Sequence, residues 1–270
     1  MKEFSEKVPL GRTGLMVSRL GVGSAYGVSE RACRQAFEAW VNYFFWGSVR
    51  TPGMALAIRE ISRGRRDQLV VVLQCYARRP GLVRLSVEKG LRKLSLDHAD
   101  VLLLGWHDTP PDPRTLEAAQ KLQESGRFRY LGISSHQRPL FRKYLQDGWY
   151  DVFHLRYNAA HRGAEQDVFP YLPRTGGPGV VSFTNTRWGT LLKPGNAPAG
   201  MSPLSATDCY RFSLSNPHVQ VALCGPKDDA EMRQALKALD SGPVQGDELE
   251  SMRRLGDHVH GIRSMMSILT

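Results

Sequence analysis

The feature that most constrains the fold is a regular alternation of short apolar runs with longer amphipathic segments along the 270 residues. Val101 to Leu104 is the clearest run, because its four apolar residues are bounded by polar ones, as in a strand buried on both faces. Such strands occur almost only in parallel sheets that helices cover on both sides. The strand-like runs are residues 20–24, 41–45, 69–73, 101–104, 129–134, 152–157, 179–183 and 219–223.

A helical segment follows each apolar run, which is the order expected of repeated β/α units. Upstream of the first unit, residues 8–20 alternate apolar and polar positions around a Gly-Arg-Thr-Gly turn, and this pattern predicts a β-hairpin. The predicted helices lie near residues 29–39, 51–61, 82–94, 112–124, 139–147, 163–172, 206–214, 230–239 and 247–262.

Eight β/α alternations after a hairpin predict an α/β fold, specifically a (β/α)8 TIM barrel with an N-terminal β-hairpin. No stretch is composed like an interdomain linker, so we expect residues 1–270 to form a single domain. A doubly wound open sheet is the alternative. It would require a Gly-x-Gly-x-x-Gly turn after the first strand, and residues 21–26, Gly-Val-Gly-Ser-Ala-Tyr, lack the third glycine.

The charge and the cysteine content indicate which ligands and covalent links to expect. The 36 Lys and Arg residues exceed the 26 Asp and Glu residues, for a net charge of +10, but they are spread along the chain. We therefore expect a small-molecule ligand and no dedicated nucleic-acid binding. The four cysteines form no Cys-x-x-Cys pair, so reduced buried thiols are expected, without disulfides or a metal site.

No segment approaches the ~18–20 consecutive apolar residues of a membrane helix. The opening Met-Lys-Glu-Phe-Ser-Glu-Lys contains no apolar signal core. We therefore expect a cytoplasmic protein that does not span a membrane.

The expected site lies at the carboxyl ends of the strands, where (β/α)8 barrels carry their functional residues. The run Val101–Leu104 illustrates this, because it opens into Gly-Trp-His-Asp at residues 105–108. The candidate catalytic residues at these strand ends are Arg50, Cys75, Tyr76, His107 and Asp108.

Each catalytic candidate also has a structural interpretation. Cys75 could be a thiolate nucleophile beside Arg50 or a small filler. Tyr76 could be a proton donor, although strand alternation turns it away from Cys75. Histidines with Asp108 could bind a divalent metal, but they have no fixed ligand spacing, so no metal is expected.

A second group of strand-end residues suggests a substrate pocket. Aromatic side chains there would either line a pocket for a flat or apolar ligand or simply fill space. Arg50 and Arg156 would hold an anionic group, and the polar loop after Arg156 is either part of the site or a helix cap. The substrate-pocket candidates are Phe45, Trp46, Trp106, His136, Arg156, Tyr157 and Asn158.

Several passages, in order, resemble one family, the aldo-keto reductases. Residues 10–23 are similar to that family's amino-terminal hairpin and first strand, and residues 126–135, Gly-Arg-Phe-Arg-Tyr-Leu-Gly-Ile-Ser-Ser, are similar to its fifth strand. Residues 155–158 and 180–184 are similar to the sixth and seventh strands. The resemblance implies a barrel that binds NADP(H) in extended form across its carboxyl face.

The resemblance also implies four catalytic side chains, an Asp, a Tyr acid, a Lys that lowers the pKa of the Tyr, and a His. This sequence departs at all four positions. Phe45 stands at the Asp, Arg50 at the Tyr, Cys75 at the Lys and Gly105 at the His, beside a retained Trp106. Such a degenerate site implies non-standard chemistry or none.

The cofactor positions implied by the resemblance are partly kept. Ser134 matches a carboxamide-binding Ser, whereas Ser135 replaces an Asn and His154 a Gln. Phe183, followed by Thr184, keeps the ring that stacks on nicotinamide. Lys227 could serve as the basic residue at the adenosine phosphate. The later Gln and Asn of that motif are replaced by Glu231 and Ala235, and an acidic group there opposes a tight phosphate grip.

Three functions remain open from the sequence. The first is an NADP(H)-linked oxidoreductase with altered chemistry, and the second is a binding protein without catalysis, a pseudoenzyme. The third is a non-redox lyase, isomerase or hydrolase that uses His107, His136 and His154.

Overall fold

The computed structural model describes residues 4–47 and 51–268, with side chains to Ile262. Eight parallel strands close into a barrel in which each strand pairs with the next along the chain and the last pairs with the first. The predicted (β/α)8 barrel is confirmed. Its strands are β3 (Leu20–Gly23), β4 (Tyr43–Trp46), β5 (Val70–Cys75), β6 (Ala99–Leu104), β7 (Phe128–Ser135), β8 (Val152–Arg156), β9 (Gly179–Phe183) and β10 (Val221–Cys224).

The predicted amino-terminal hairpin is also confirmed. Strand β1 (Val8–Pro9) pairs antiparallel with β2 (Met16–Val17) across a 3₁₀ turn. Side chains of the hairpin, including Leu10 and Val17, belong to the same buried cluster as the interior of the barrel. The hairpin therefore covers the amino-terminal end, and a site can form at the opposite, carboxyl end.

Helices surround the barrel in the predicted order. The helices are α1 (Glu30–Glu38), α2 (Pro52–Arg65), α3 (Pro80–Leu94), α4 (Pro113–Glu124), α5 (Leu140–Asp147), α6 (Ala164–Asp167), α7 (Ala206–Leu214), α8 (Asp229–Leu236) and α9 (Gly246–Ile268). The helix predicted over residues 163–172 is shorter: α6 ends at Asp167, and only a 3₁₀ turn follows. Pro170 lies in that turn, where it has no N–H to continue a helix. Among the described residues no helix is long and apolar enough to cross a membrane.

Strand alternation divides the buried side chains into two layers. On β4, Tyr43 and Phe45 face the barrel interior, whereas Phe44 and Trp46 pack between strands and helices. On β5, Val72 faces inward and Cys75 outward. Alternate residues of a strand face opposite layers, so a residue at a strand end reaches the site only if it is on the inward-facing side.

The last helix, α9, packs against the loop that follows β8. Arg162 in that loop donates to both carboxylate oxygens of Asp257 at 2.8 and 3.0 Å, and Arg253 donates to Glu165. The Cα of Gly256 approaches the backbone of Ala159 so closely that a side chain would collide with it. These contacts hold the loop in place beside the carboxyl ends of the strands.

Candidate active site

One cavity of about 740 Å³ opens at the carboxyl ends of the strands and extends towards α8. We refer to it as the main cavity. Its barrel end is lined by Phe45, Gln74, Trp106, Ser134, His136, His154 and Phe183. Its far end is lined by Tyr26, Ser205, Tyr210, Gly225, Lys227, Glu231 and Gln234. The volume falls within the roughly 300–1,000 Å³ that is usual for small-molecule and cofactor sites.

A buried pair forms the floor of the barrel end. The hydroxyl of Tyr43 lies 2.7 Å from Nε2 of His154, and both side chains are almost fully buried. Burial raises the pKa of Tyr43 well above its ordinary value and lowers the pKa of His154 to about 3, so both groups are neutral near pH 7. We assign Tyr43 as the donor to Nε2, which leaves the imidazole proton on Nδ1. His154 lines the main cavity, so it can present that N–H to a ligand.

Gln74 and Gly105 form a complementary pair at the same end. A Cβ built on Gly105 would lie 1.8 Å from Nε2 of Gln74 and 2.7 Å from its Cδ. The Gln74 side chain therefore occupies the space into which a side chain at position 105 would project. A histidine at 105 and the present conformation of Gln74 exclude one another.

The structure does not place Cys75, a candidate catalytic residue, at the site. Gln74 lines the main cavity, whereas the adjacent Cys75 faces the helix layer. A residue that acts at the site must face the cavity, and of these two neighbours only Gln74 does. Burial raises the pKa of the Cys75 thiol, although the nearby backbone of Ala77 and the side chain of Ser86 oppose the shift. Cys75 is a packed core thiol in this structure and does not face a ligand as a nucleophile would.

The aromatic wall expected from the sequence is divided between two layers. Phe45 and Trp106 line the main cavity, as expected. Trp46 is buried in the helix layer and borders a neighbouring cavity instead, because its parity on β4 is opposite to that of Phe45. Tyr76 lies at the rim of the main cavity with 56% of its side chain exposed.

Trp106 is held by two N–H hydrogen bonds and has a constrained backbone. Its backbone N–H donates to Oγ of Ser134 at 2.8 Å, and its indole N–H donates to Asp108 at 3.1 Å. Its φ of 51° is in the left-handed region, which is uncommon for a residue other than glycine. The indole meets the ring of His136 edge-on at 5.2 Å, and His136 meets Phe183 at 5.4 Å. Three rings therefore line one side of the opening.

The three histidines named from the sequence do not form one cluster. His136 and His154 line the main cavity, but His107 does not, and it is 97% buried beside Arg78. Burial and then the charge of Arg78 lower the pKa of His107 to about 4. Asp108 is exposed and accepts from the backbone N–H of His136. In the described part of the chain no group of three or more potential ligands could hold a metal ion.

None of the three pocket residues predicted at the end of β8 is among those that line the main cavity. Tyr157 is buried away from the cavity, donates to Glu165 at 2.7 Å and packs on Phe169. Asn158 is fully buried and stabilises loops, since its amide donates to the carbonyl of Thr184 and accepts from a backbone N–H. Arg156 is partly exposed beside His136. Arg50 lies outside the described residues.

The predicted cofactor-binding residues all border the main cavity. Ser134, Ser135, His154, Phe183, Thr184 and Lys227 are among its lining residues. At the far end, Lys227 forms an ion pair with Glu231, with Nζ 3.0 Å from Oε1, and its backbone N–H also reaches that carboxylate. The positive charge of Lys227 is therefore paired with a carboxylate at the far end of the cavity.

Sequence reasoning missed two features of the site. Tyr43 could have been found by counting two residues back from Phe45 along the same strand face. Trp188 lines the cavity from a loop in which Thr184, Arg187 and Trp188 all have positive φ. No periodic pattern marks such a loop, so only the structure locates it.

Comparison with known proteins shows to which family the chain is similar. A model of the aldo/keto reductase family matches residues 34–206, more than half of the chain. L-galactose dehydrogenase of Arabidopsis thaliana is 29% identical over 296 residues, which cover 90% of this chain and 88% of that protein. The NADH-specific methylglyoxal reductase of Escherichia coli (strain K12) is 25% identical over 209 residues, covering 61% and 63%.

A structural comparison agrees with the observed fold. An aldo-keto reductase of Bacillus halodurans, solved in its holo form, superposes with a TM-score of 0.79 at 21% identity. The superposition covers 93% of this chain and 96% of that one. From the matched family model and the closed barrel, this chain belongs to the aldo/keto reductase family.

Proposed function

We propose that the protein binds a nicotinamide dinucleotide across the carboxyl face of its barrel and has little carbonyl reductase activity. The observation that carries the second part is the pairing of Gln74 with Gly105. The family resemblance implies charged or titratable groups at positions 45 and 105, where this chain has Phe45 and Gly105. The Gln74 side chain fills the space above Gly105. The site is therefore reorganised as a unit.

The residues that line the main cavity fit a nicotinamide dinucleotide. Ser134 and Ser135 provide hydroxyl groups, and the Nδ1–H of His154 is a donor for a carboxamide oxygen. Phe183 offers a ring face for the nicotinamide, as the family resemblance implies. When bound, the nicotinamide supplies or accepts a hydride. An elongated cavity that ends at Gln234 suits the extended form of the cofactor.

The same residues do not provide ordinary acid catalysis. A phenol donates a proton efficiently near pH 7 only when a neighbouring cation lowers its pKa. Tyr43 has the opposite environment, because burial raises its pKa. The amide of Gln74 carries no charge with which to compensate. We therefore expect hydride transfer to ordinary aldehydes to be slow.

The charge at the far end of the cavity favours NAD(H) over NADP(H). Glu231 lies beside Lys227 and cancels its charge, so a 2′-phosphate would meet a carboxylate there. An acidic residue instead suits the free 2′-hydroxyl of NAD(H). This proposal replaces the NADP(H) implied by the sequence resemblance. It has a parallel in the E. coli relative, which is described as NADH-specific.

A second candidate function is an oxidoreductase in which His154 polarises the substrate carbonyl. The specific observation in its favour is the Tyr43–His154 pair, which leaves a neutral Nδ1–H available at the cavity. Neutral imidazole can act as a hydrogen-bond donor to a carbonyl oxygen. The non-redox alternative has less support, because His107 lies apart from His136 and His154.

Fluorescence titration of the whole chain with NADH and with NADPH tests binding. We expect micromolar affinity for NADH and weaker affinity for NADPH. Glu231→Arg should reverse the order, whereas Glu124→Arg, an exposed site on α4, should change neither affinity. Absence of binding at several hundred micromolar of either nucleotide would refute the proposal.

Turnover with a panel of aldehydes and ketones separates the two candidates. The first predicts NADH oxidation close to the background rate. Steady turnover would contradict it and favour the second, provided that Tyr43→Phe reduces that turnover while NADH still binds. Tyr43 does not line the cavity, and its hydroxyl contacts His154, so loss of that hydroxyl would affect a ligand through His154.

A further inference from the structure

Arg156, at the end of β8, is a partly buried cation that has no partner in the described part of the chain. None of the described residues forms a hydrogen bond or an ion pair with its guanidinium group. Neighbouring arginines behave differently: Arg138 donates to Asp167 at 2.7 Å, and Arg162 binds Asp257. An arginine that is neither fully solvated nor paired is unusual, because a guanidinium group retains its charge and its five N–H donors.

The surroundings of Arg156 disfavour its positive charge. Burial lowers the pKa of Arg156, and the charge of Arg138 lowers it further. His161 has its pKa lowered to about 3, first by burial and then by Arg156, Arg187, His260 and Arg138. The pKa of His136 is lowered by burial and by Arg156. Arg138 and Arg187, from two neighbouring loops, therefore bring further positive charge near Arg156 and His161.

Few negative charges offset this convergence within the described residues. Asp167 is engaged by Arg138, and Asp108 acts on His136 from the exposed side. Like charges that converge without a counter-charge destabilise the fold, and they persist where a ligand supplies the missing charge. An oxyanion would accept the N–H groups of a guanidinium fork in a bidentate manner.

The position of Arg156 relates this feature to the main cavity. It is the second residue after His154 along β8, so it lies on the same side of the strand, further towards the carboxyl end. It pairs in register with Phe183 on β9. Arg156 is thus beside the end of the cavity at which the nicotinamide ring is expected.

We propose that Arg156, with Arg138 and His161 around it, forms a subsite for an oxyanion group, a carboxylate or a phosphate, of a small-molecule substrate. The presence of the anion site is independent of the cofactor. That this site binds the charged group of a substrate rests on the function proposed above. A substrate held there would bind with its charged group outside the cavity and its uncharged part towards His154 and Phe183.

Thermal unfolding of the whole chain without nucleotide tests the subsite. Sodium phosphate and sodium acetate would be compared with sodium chloride at matched ionic strength and pH. We expect phosphate, acetate or both to raise the Tm of the wild type beyond the chloride control, and the responsive anion identifies the class. Arg156→Gln should remove that increment and weaken anion binding by about tenfold or more.

Two further variants distinguish an anion site from a structural role. Arg156→Lys should retain part of the increment, because lysine keeps the charge but loses the planar fork. Arg84→Gln, at an exposed position on α3, should behave as the wild type. Without oxyanion, Arg156→Gln should unfold at the same temperature as the wild type or higher, because repulsion from Arg138 is relieved.

Three outcomes would overturn the proposal. They are a wild type that responds to neither anion beyond chloride, an Arg156→Gln variant that keeps the full response, and an Arg156→Gln variant that is less stable without anion. If the Arg156→Gln variant keeps the full response, the anion binds elsewhere, for instance at the far end of the main cavity. NADH titration in the same buffers tests the proposed function separately, since it can fail while the anion response persists.

Discussion

Two glycines in α9 should respond in opposite directions to the same substitution. A Cβ on Gly256 would lie 2.1 Å from the carbonyl oxygen of Ala159, 2.3 Å from its carbonyl carbon and 2.9 Å from the nitrogen of Ala160. All three contacts are with backbone, which cannot rotate away as a side chain would. A Cβ on Gly261, five residues later in the same helix, meets no described atom within 4 Å.

The expected magnitudes follow from these distances. Overpacking of a filled interior usually costs about 1–3 kcal/mol, and rigid backbone partners place Gly256→Ala at about 3 kcal/mol. The higher helix propensity of alanine offsets about 1 kcal/mol of this. The net loss in the free energy of unfolding is about 2 kcal/mol. Gly261→Ala gains the propensity alone, so it should stabilise the protein by about 1 kcal/mol or slightly less.

Equilibrium unfolding in urea, followed by circular dichroism, measures both effects. With a slope of about 3 kcal/mol/M for a chain of this size, the midpoint of Gly256→Ala should fall by about 0.7 M. That of Gly261→Ala should rise by about 0.3 M. Equal stabilisation by both substitutions would refute the close approach of α9 to the loop after β8.

Three other predictions concern the interior of the site. Tyr43→Phe should destabilise the protein by about 1–3 kcal/mol in urea unfolding, because Nε2 of His154 loses its partner; an unchanged midpoint would contradict the pair. The pKa of His154 is about 3 in the folded state against an ordinary value of 6.5, so the unfolded state binds the proton first. Its contribution to stability is complete above pH 6.5 and is lost as the pH falls towards 3, by up to about 1.4 kcal/mol per pH unit, and His154→Gln should flatten this dependence. All four cysteines are buried, so a thiol reagent should label none in the native protein and four after denaturation, whereas native labelling that Cys75→Ser abolishes would show that Cys75 is accessible.

Much of the fold was predictable because it depends on local periodicity. Buried parallel strands read as apolar runs and the covering helices as amphipathic segments, so the run 101–104 and its seven counterparts predicted the barrel. The helix predicted over 163–172 was too long, since Pro170 ends it early. Placement of the site at the strand ends follows from the fold class, and the main cavity lies there.

Individual roles at the site were less predictable, because neighbours in sequence face opposite layers. Cys75 and Gln74 differ by one position, and only the second reaches the cavity. Phe45 and Trp46 divide in the same way. Tyr157 and Asn158 follow Arg156 directly, yet both serve packing and loop hydrogen bonds. A prediction that is wrong by one residue on a strand assigns the side chain to the wrong face.

The sequence by itself therefore determined the order of elements, the class of fold and the end of the barrel that carries the site. These properties arise from hydrophobic periodicity and turn chemistry, which act over a few residues. Closure of the barrel decided which residues of each strand face the interior. As a result, the Gln74 side chain fills the space above Gly105. Closure also brought together Tyr43 with His154 and Arg156 with Arg138, residues from separate elements whose proximity no local pattern encodes.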